Sequence, residues 1–502
     1  MGDDYLNRMA KVFPMIIFFS ILIQLFNMVK SLLLANYYGI SQNLDAFYLA
    51  NVFTITIFNV IGIAITTITI PEFSSKDKIK ENRVGIENYL SIIYLISIFL
   101  SVLILLALNF FISDVAPNFN EQNQNLFLLL LFILMTGQIF RIQTAFSTAV
   151  LQSEGKFIIS KFAGMITSII PVIYLYSFEK PNIVTVAILV SIAYAIEAVI
   201  LLQSQWKHID YRYKFRIGRP SYYSKKLLIN TIPLIISSAV FQIQILFSNY
   251  MAGYFGAGYI SILSNTNQIV GIFQVLFVAN IISVIYPRIA KDIKLNVKTG
   301  LAGVNKYINL TNIFIIFLVW GYASLGKDLV NILFVRGEFT IENATLVYQF
   351  GLFLVIALPI SVIRDYCYRI LYSLEMVNIP TKNAIFTVCI NVILIVVLQP
   401  FIGVYSIVMA PLIGTIVSTI NIMIKLRKLK FMLSIKSILG NYILFNLVGI
   451  SMYCFGKLTY ISSFFSVGNF ILNGTISFIF FGISTLIINK IYFYIKGESY
   501  VK

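Results

Sequence analysis

The chain has 502 residues, of which 59% are hydrophobic and 11% are charged, whereas a soluble protein carries about 25% charged residues. This apolar surplus excludes an ordinary soluble globular protein and indicates that a bilayer surrounds most of the chain. The net charge of +17 does not indicate nucleic-acid binding, because Lys and Arg of membrane proteins collect in cytoplasmic loops and at anionic lipid surfaces.

Apolar stretches recur along the chain at about 20 residues each, the length of a helix that crosses about 30 Å of hydrocarbon. The short alternating segments of a β-barrel are absent from the sequence. We therefore predict an all-α polytopic membrane protein, and its first apolar run reads as a retained helix because no cleavage site follows. The fourteen predicted transmembrane helices span approximately 13–36, 46–70, 89–112, 126–150, 157–177, 182–204, 228–252, 259–286, 307–325, 345–372, 383–399, 404–424, 438–456 and 466–489.

Basic residues divide unequally between alternate loops. With a cytoplasmic N-terminus, 29 Lys and Arg fall in or beside the inner segments, and the outer loops hold four: Lys180, Lys327, Arg336 and Lys457. This asymmetry is a positive-inside signal. It predicts that both termini are cytoplasmic and that anionic lipids at the cytoplasmic face are partners of the basic loops.

The chain also resembles itself at a nearly constant offset. ANYYG at 35–39 recurs as AGYFG at 252–256, IPEFSSKDKIK at 70–80 recurs as YPRIAKDIKLN at 286–296, and EGKFIISK at 154–161 recurs as EMVNIPTK at 375–382. Each half then holds six helices, so the repeats are parallel and related by an axis along the membrane normal. We predict an N-lobe over 1–204, a cytoplasmic basic linker over 205–227, a C-lobe over 228–426, and helices thirteen and fourteen with a tail over 427–502. Two such lobes predict a central cavity.

Catalytic and metal-binding constellations are missing from the sequence. The single histidine, His208, lies in the basic linker, and Cys367, Cys389 and Cys454 lie in or near apolar helices without paired spacing. We expect the cysteines to be packing residues rather than disulfides or metal ligands. With no Walker A loop either, the sequence predicts a transporter, not an enzyme, with no cofactor and no metal.

Four stretches carry a family resemblance: LLLANYYGISQNLDAFYLAN at 32–51, IPEF at 70–73, NILFVRGEFTIEN at 331–343 and YRILYSLEMVNIPTK at 368–382. On these motifs the chain resembles the MurJ/MviN family of lipid flippases, within the MOP (multidrug/oligosaccharidyl-lipid/polysaccharide) exporter superfamily. The resemblance implies that a polyprenyl-diphosphate-linked saccharide, lipid II or a related cell-wall or capsule precursor, is moved from the inner to the outer leaflet by alternating access. It also implies a bacterial cytoplasmic membrane, a role in peptidoglycan or polysaccharide biosynthesis, and assembly proteins of those pathways as candidate partners.

Alternative functions stay open at this stage. The resembled family has arginines in helices two and eight that align near Phe58 or Asn59 and near Gln268, so two expected cations are neutral here. Their loss makes a capsule or O-antigen-type repeat unit an alternative cargo to lipid II. A cation-coupled multidrug exporter of the same superfamily would need acidic residues in the lobes, of which the chain has few, and a non-transporting membrane scaffold is the third class.

Lys30, followed by Ser31, lies inside the first apolar span, where the resembled family has an Arg-Asp pair. A charge at the centre of a span costs about 2.5–3.5 kcal/mol on insertion scales, so such residues usually face a cavity. We expect Lys30 to bind the diphosphate there, although its side chain has the length to snorkel to the interface instead. The polar run SNTNQ at 264–268 offers Asn265, Asn267 and Gln268 to sugar hydroxyls; the alternative is polar packing between helices.

The remaining intramembrane charges are less specific. Arg141 and Arg364 are candidate cavity cations, and Glu197 is a candidate for proton coupling or cation binding. Because Arg369 lies four residues after Asp365, that pair is expected to form more readily than the one between Arg364 and its neighbour Asp365; a structural ion pair or interfacial anchor is the alternative role for these charges. Structural or gating roles are predicted for Gly39, Asp45, Gly256, Asp365 and Arg369.

Overall fold

The computed structural model describes residues 2–73, 76–209, 211–216, 221–431, 433–460 and 466–496. The regular elements within these ranges are all helical. They are α1 (Gly2–Tyr38), α2 (Gln42–Glu72), α3 (Lys76–Val115), α4 (Glu121–Ser153), α5 (Phe157–Ser177), α6 (Ile183–His208), α7 (Tyr222–Phe255), α8 (Tyr259–Phe273), a π-helical turn (Gln274–Ala279), α9 (Asn280–Leu295), α10 (Val297–Phe334), α11 (Ile341–Ile356), α12 (Leu358–Ser373), α13 (Asn378–Ile402), a 3₁₀ turn (Gly403–Tyr405), α14 (Ser406–Lys428), α15 (Ile435–Leu458) and α16 (Ser466–Lys496).

Thirteen helical segments of the described chain are long and apolar enough to cross a membrane. One of them, Asn378–Lys428, is 51 residues long and consists of α13 and α14, which meet at Gly403 with a φ of 56°. Counted separately, these two helices bring the described spans to the predicted fourteen. The predicted all-α polytopic fold is therefore confirmed.

Two predicted spans are interrupted rather than continuous. The eighth consists of α8, the π-helical turn and α9, and the tenth consists of α11 and α12. The second interruption is caused by Pro359, which lies in the first turn of α12. Because proline has no backbone N–H, it cannot donate a hydrogen bond to a carbonyl of α11, and the helical hydrogen bonding stops there.

The chain divides into two compact units, Met1–Gln268 and Ile269–Lys502. In the first unit α2 packs against α4 and α7, α4 packs against α6, and α1 packs against α5. An aromatic cluster of Phe73, Phe146 and Tyr211 lies in the core of this unit. The compact units follow contacts rather than the sequence repeat, so the predicted lobe boundaries at 204 and 228 stay a prediction.

In the second unit α10 is the central helix, packed by α9, α11, α12, α15 and α16. The last two helices, predicted as an addition to the repeat, are joined to it by polar and aromatic contacts. Trp320 Nε1 of α10 donates to Asn446 Oδ1 of α15 at 3.0 Å, and the ring centroids of Phe317 of α10 and Phe478 of α16 are 5.4 Å apart.

The helix boundaries reproduce the internal repeat. Three of them recur at nearly the offset of the sequence motifs: the end of α1 at Tyr38 and of α7 at Phe255, the start of α4 at Glu121 and of α11 at Ile341, and the start of α5 at Phe157 and of α13 at Asn378. Because whole helices recur at the spacing of the motifs, the repeat is structural and not a chance similarity of short segments.

Candidate functional site

The turn between α1 and α2 has a repeat-equivalent turn between α7 and α8. Gly39 follows α1 with a φ of 57°, and Gly256 follows α7 with a φ of 143°. Residues with a Cβ rarely adopt either conformation. The structural role predicted for these two glycines therefore has a backbone explanation at both positions.

Asp45, in the first turn of α2, caps the start of α8. Its carboxylate accepts hydrogen bonds from the backbone N–H of Gly258, from the Ser261 N–H at 2.8 Å and from the Ser261 hydroxyl at 2.5 Å. The side chain is fully buried. An anion placed on the unpaired N–H groups of a helix N-terminus is stabilised by those groups and by the helix dipole, so one carboxylate fastens α2 to α8.

A second junction lies further along the same helices. The Ser31 hydroxyl of α1 donates to Asn265 Oδ1 of α8 at 2.8 Å, and the Tyr48 hydroxyl of α2 lies 2.9 Å from Ser31 Oγ and 3.2 Å from Asn265 Oδ1. All three side chains are buried, and the Asn265 amide nitrogen has no hydrogen-bond partner among the described residues. Asn265 thus joins α8 to α1 and α2 through its side-chain oxygen, and its side-chain nitrogen makes no hydrogen bond there.

These contacts have the spacing of the repeat. Asp45 and Ser261 are 216 residues apart, and Tyr48 and Asn265 are 217 apart. Both separations are close to the offset of the sequence repeat, so each contact joins corresponding segments of the two repeats, the turn after α1 and the turn after α7.

Lys30 precedes Ser31 and is partly buried. Its ammonium donates to Asn27 Oδ1 at 3.3 Å, and no carboxylate of the described chain lies within 4.0 Å of it. A cation inside an apolar helix with one neutral partner keeps its capacity to bind an anion.

Arg141 lies in a cleft between α2 and α4 whose walls carry both polar and apolar side chains. The cleft has a volume of 350 Å³, and its walls include Asn59, Thr66, Thr144 and Thr148. The guanidinium stacks on the Tyr194 ring at 5.1 Å and has no carboxylate within 4.0 Å in the described part of the chain. The Thr144 hydroxyl is buried beside the cleft without a hydrogen-bond partner among the described residues.

The SNTNQ run does not act as one surface. Asn265 is buried at the junction, Gln268 is half-buried, and Asn267 is exposed. Successive helical residues are about 100° apart around the axis, so Asn267 faces away from Asn265. The structure brings Asn265 together with Ser31 and leaves Asn267 outside that contact.

Glu197 of α6 is half-buried and faces α5. It accepts a hydrogen bond from the Thr167 hydroxyl at 3.0 Å. No cation of the described chain lies within 4.0 Å of its carboxylate. Glu197 therefore has a neutral hydrogen-bond partner and no ion pair among these residues.

Asp365 pairs with its neighbour Arg364 and not with Arg369, the partner that the four-residue spacing would allow. Asp365 Oδ1 accepts from its neighbour Arg364 at 3.2 Å, and Arg369 stacks on the Tyr286 ring at 4.9 Å. A guanidinium on a long stem folds back along its own helix and so reaches an adjacent carboxylate, while the face of Tyr286 holds the other arginine by a cation–π contact. Arg364 and Asp365 form the structural ion pair, and Arg364 also lies over the Tyr368 ring at 5.8 Å.

Several residues of the site were not predicted from the sequence. Tyr48, Gly258 and Ser261 complete the two junctions, yet none is charged or part of a known motif. The signal that would have pointed to Ser261 is the repeat itself, because its offset of 216 to 217 residues carries Asp45 to position 261 or 262. Among the described residues, no group of three or more His, Cys, Asp or Glu side chains is placed to hold a metal ion.

The fold and the embedded polar groups define a multi-pass membrane transporter of repeated helical architecture. Residues 34–477 match the model of the family described as lipid II flippase MurJ, and the chain belongs to that family. The predicted resemblance is thereby confirmed, and membership places the chain among lipid flippase transporters rather than enzymes.

Individual relatives agree with the family. A probable lipid II flippase MurJ of Rickettsia prowazekii (strain Madrid E) is 26% identical over 388 residues, which cover 74% of this chain and 75% of the relative. A solved lipid II flippase MurJ in an inward closed conformation has a TM-score of 0.80 at 21% identity, covering 94% of this chain and 99% of its own. An inward-facing multidrug resistance MATE family transporter of the MOP superfamily has a TM-score of 0.62 at 13% identity, covering 82% and 94%. The two solved structures support the fold.

Proposed function

We propose that this protein translocates lipid II, or a closely related polyprenyl-diphosphate-linked saccharide, from the cytoplasmic to the outer leaflet of the bacterial cytoplasmic membrane. The observation that carries the proposal is the family match over residues 34–477. The embedded Lys30, without a carboxylate partner among the described residues, supports it because the cargo carries an anionic diphosphate.

The diphosphate is bound by charge rather than by a fork of hydrogen bonds. Lys30 supplies a compact ammonium on α1 where the resembled family has arginine, and Lys meets phosphate as a point charge. Arg141 of α4 supplies a guanidinium to the cleft that contains Phe58 and Asn59, next to which the family's helix-two arginine aligns. A cation from helix four thus takes the place of the one lost from helix two.

The neutral groups of the cleft are suited to the saccharide. Asn59 and Thr148 offer an amide and a hydroxyl group on the walls around Arg141, and sugar hydroxyls both donate to and accept from such groups. Gln268 would contribute from α8 in the same way. We assign the anion to the cations and the sugar to these uncharged side chains.

The junction of α1, α2 and α8 is proposed as a gate. With both termini cytoplasmic, as the basic loops predict, the turns at Gly39 and Gly256 lie on the outer side. The Asp45 cap and the Ser31–Asn265 hydrogen bond then hold the outer side closed. Release of the cargo outward requires that these bonds break, and the unpaired Asn265 amide then has a group ready for the cargo.

Complementation tests the proposal most directly. The gene is expressed in a bacterium depleted of its own lipid II flippase, and growth and outer-leaflet lipid II are measured. We expect rescue by the natural chain and by Lys30→Arg, and at least a tenfold loss of outer-leaflet lipid II for Lys30→Gln, since charge-assisted bonds to phosphate contribute about 1.5–3 kcal/mol. Lys180→Gln, which removes a cation from the exposed loop between α5 and α6, is the matched control.

Failure of the natural chain to rescue, at membrane levels equal to those of the host flippase, would contradict lipid II as cargo. Equal rescue by Lys30→Gln and Lys180→Gln would contradict the assignment of Lys30 to the diphosphate.

A further inference from the structure

An apolar crevice runs between α2, α3 and α7, away from the polar residues of the proposed transport site. It has a volume of 450 Å³. Its lining on α3 comprises Ile93, Ile96, Ser97 and Leu100, and its lining on α7 runs from Leu228 to Leu246. Ligand-sized cavities of this volume normally include several polar groups that fix the ligand's orientation, and this crevice is nearly without them.

Three hydroxyls line the crevice, those of Thr56, Ser97 and Thr231, and the last two have hydrogen-bond partners. The Thr231 hydroxyl lies 3.0 Å from the Tyr89 hydroxyl and donates to the Leu227 carbonyl at 2.8 Å, and Ser97 donates to the Ile93 carbonyl at 2.7 Å. With Thr56 and Gln242 they are the few polar side chains in a wall that is otherwise aliphatic. The chemistry that fits such walls is a hydrocarbon chain.

The crevice opens sideways. Ile96, Ile232 and Ile243 are lining residues that are 44%, 55% and 56% exposed, and they belong to helices long and apolar enough to span a membrane. A chain of the surrounding lipid thus enters without passing through the protein. The lined part of α7, from Leu228 to Leu246, extends for about 27 Å of helix, which exceeds the depth of one leaflet, about 15 Å.

One end of the crevice carries a positive charge. The lining positions on α7 (228, 231, 232, 235, 239, 242, 243 and 246) recur at the spacing of one helix face. Continued by one step toward the start of the helix, that face reaches Lys225, which is exposed. Lys226 is exposed as well, but it lies about 100° further around the helix. The face that binds a chain therefore ends in an ammonium at the basic side of the membrane.

We infer that this crevice binds one acyl chain of an anionic phospholipid, whose phosphate head group lies against Lys225. The site is separate from the proposed cargo site, and the inference does not depend on what the protein transports. Bound there, the lipid packs α7 against α2 and α3.

The test is lipid retention by the full-length protein. The protein is reconstituted in phosphatidylcholine nanodiscs that contain some phosphatidylglycerol. It is then released from the nanodiscs in the mass spectrometer, and the mass of the protein with its retained lipids is measured by native mass spectrometry. We expect one phosphatidylglycerol to be retained in preference to phosphatidylcholine. Lys225→Gln is expected to weaken its retention about fivefold, the effect of one surface cation on an anionic lipid, and Lys226→Gln by less than about twofold.

A second pair of variants tests the chain rather than the head group. Ala239→Phe places a ring in the crevice and should abolish preferential retention, while Ile236→Phe places one on the exposed face of the same helix and should leave retention unchanged. Equal effects of Lys225→Gln and Lys226→Gln, retention of phosphatidylcholine at the same level, or full retention by a folded Ala239→Phe protein would each overturn the inference.

Discussion

At the junction of α1, α2 and α8, a single carboxylate completes the hydrogen bonds of a neighbouring helix. Asp45 is buried and accepts from two backbone N–H groups and one hydroxyl. Without it, the first N–H groups of α8 would be buried and unpaired, which costs free energy. Burial of this acid is therefore tolerated because every one of its contacts is a donor.

Asp45→Asn is expected to loosen this junction. The asparagine amide would point a donor at another donor, and a charge-assisted hydrogen bond worth about 1.5–3 kcal/mol would be lost. We expect a cysteine at position 265, in a chain without its three natural cysteines, to react at least several-fold faster with a membrane-impermeant thiol reagent. Asp114→Asn removes an exposed acid and is the control; unchanged reactivity in Asp45→Asn would refute the gate.

Gly258 is the tightest glycine at this junction. Its φ is 90°, and a Cβ there would lie 1.7 Å from Ile40 Cγ2. Gly403 also has a positive φ, of 56°, but a Cβ there would meet nothing within 4 Å.

We therefore expect Gly258→Ala to destabilise the protein in detergent much more than Gly403→Ala, whose cost is backbone strain alone, about 1–2 kcal/mol. Thermal unfolding of the two variants measures the difference. The double variant Gly258→Ala with Ile40→Ala should recover part of the loss, because the clash partner is shortened. Equal melting temperatures for the two single variants would show that the contact with Ile40 is unimportant.

At the scale of whole elements, the segment between α6 and α7 is fixed to α3 by a buried acid. Glu87 accepts from Arg83 at 3.0 Å and from Arg216 at 2.5 Å, and its side chain is fully buried. The Arg216 N–H donates to Ser91 Oγ, which lies 2.8 Å from the Tyr213 hydroxyl. Burial raises the pKa of Tyr211 and of Tyr213, and the Glu87 carboxylate raises both further, so both rings stay neutral packing groups at physiological pH.

Glu87→Gln is expected to release this segment. It leaves two guanidinium groups without their anion, and breaking a buried ion pair by removing one partner is strongly destabilising; half-exposure of both arginines reduces the effect. We expect trypsin to cleave at Arg212, Lys214 or Arg216 several-fold faster than in the natural chain. Glu154→Gln changes an exposed acid after α4 and should not alter the rate; resistance of Glu87→Gln to trypsin would show that the other contacts suffice.

At the scale of the whole molecule, the proposed cargo carries its own driving force. Moving about two negative charges outward across an inside-negative potential of about 100 mV is favourable by about 4–5 kcal/mol. Outer-leaflet precursor should therefore fall when an ionophore collapses the potential and persist when only the pH gradient is collapsed. The reverse result would instead favour proton coupling through Glu197.

Much of this architecture was predictable from the chain alone, and the reason is physical. Lipid imposes a length of about 20 apolar residues on every span and concentrates basic residues in the cytoplasmic loops. The fourteen spans, the repeat and the need for glycine at 39 and 256 can therefore be recognised from short stretches of sequence. The family motifs at 32–51 and 331–343 are local in the same sense. By contrast, the contacts between helices depend on rotation about each axis, which no local pattern specifies. The tertiary structure alone decided that Asp45 caps α8, that Asn265 is buried while Asn267 is exposed, that Arg364 rather than Arg369 bonds to Asp365, and that Arg141 lies in the cleft beside Asn59.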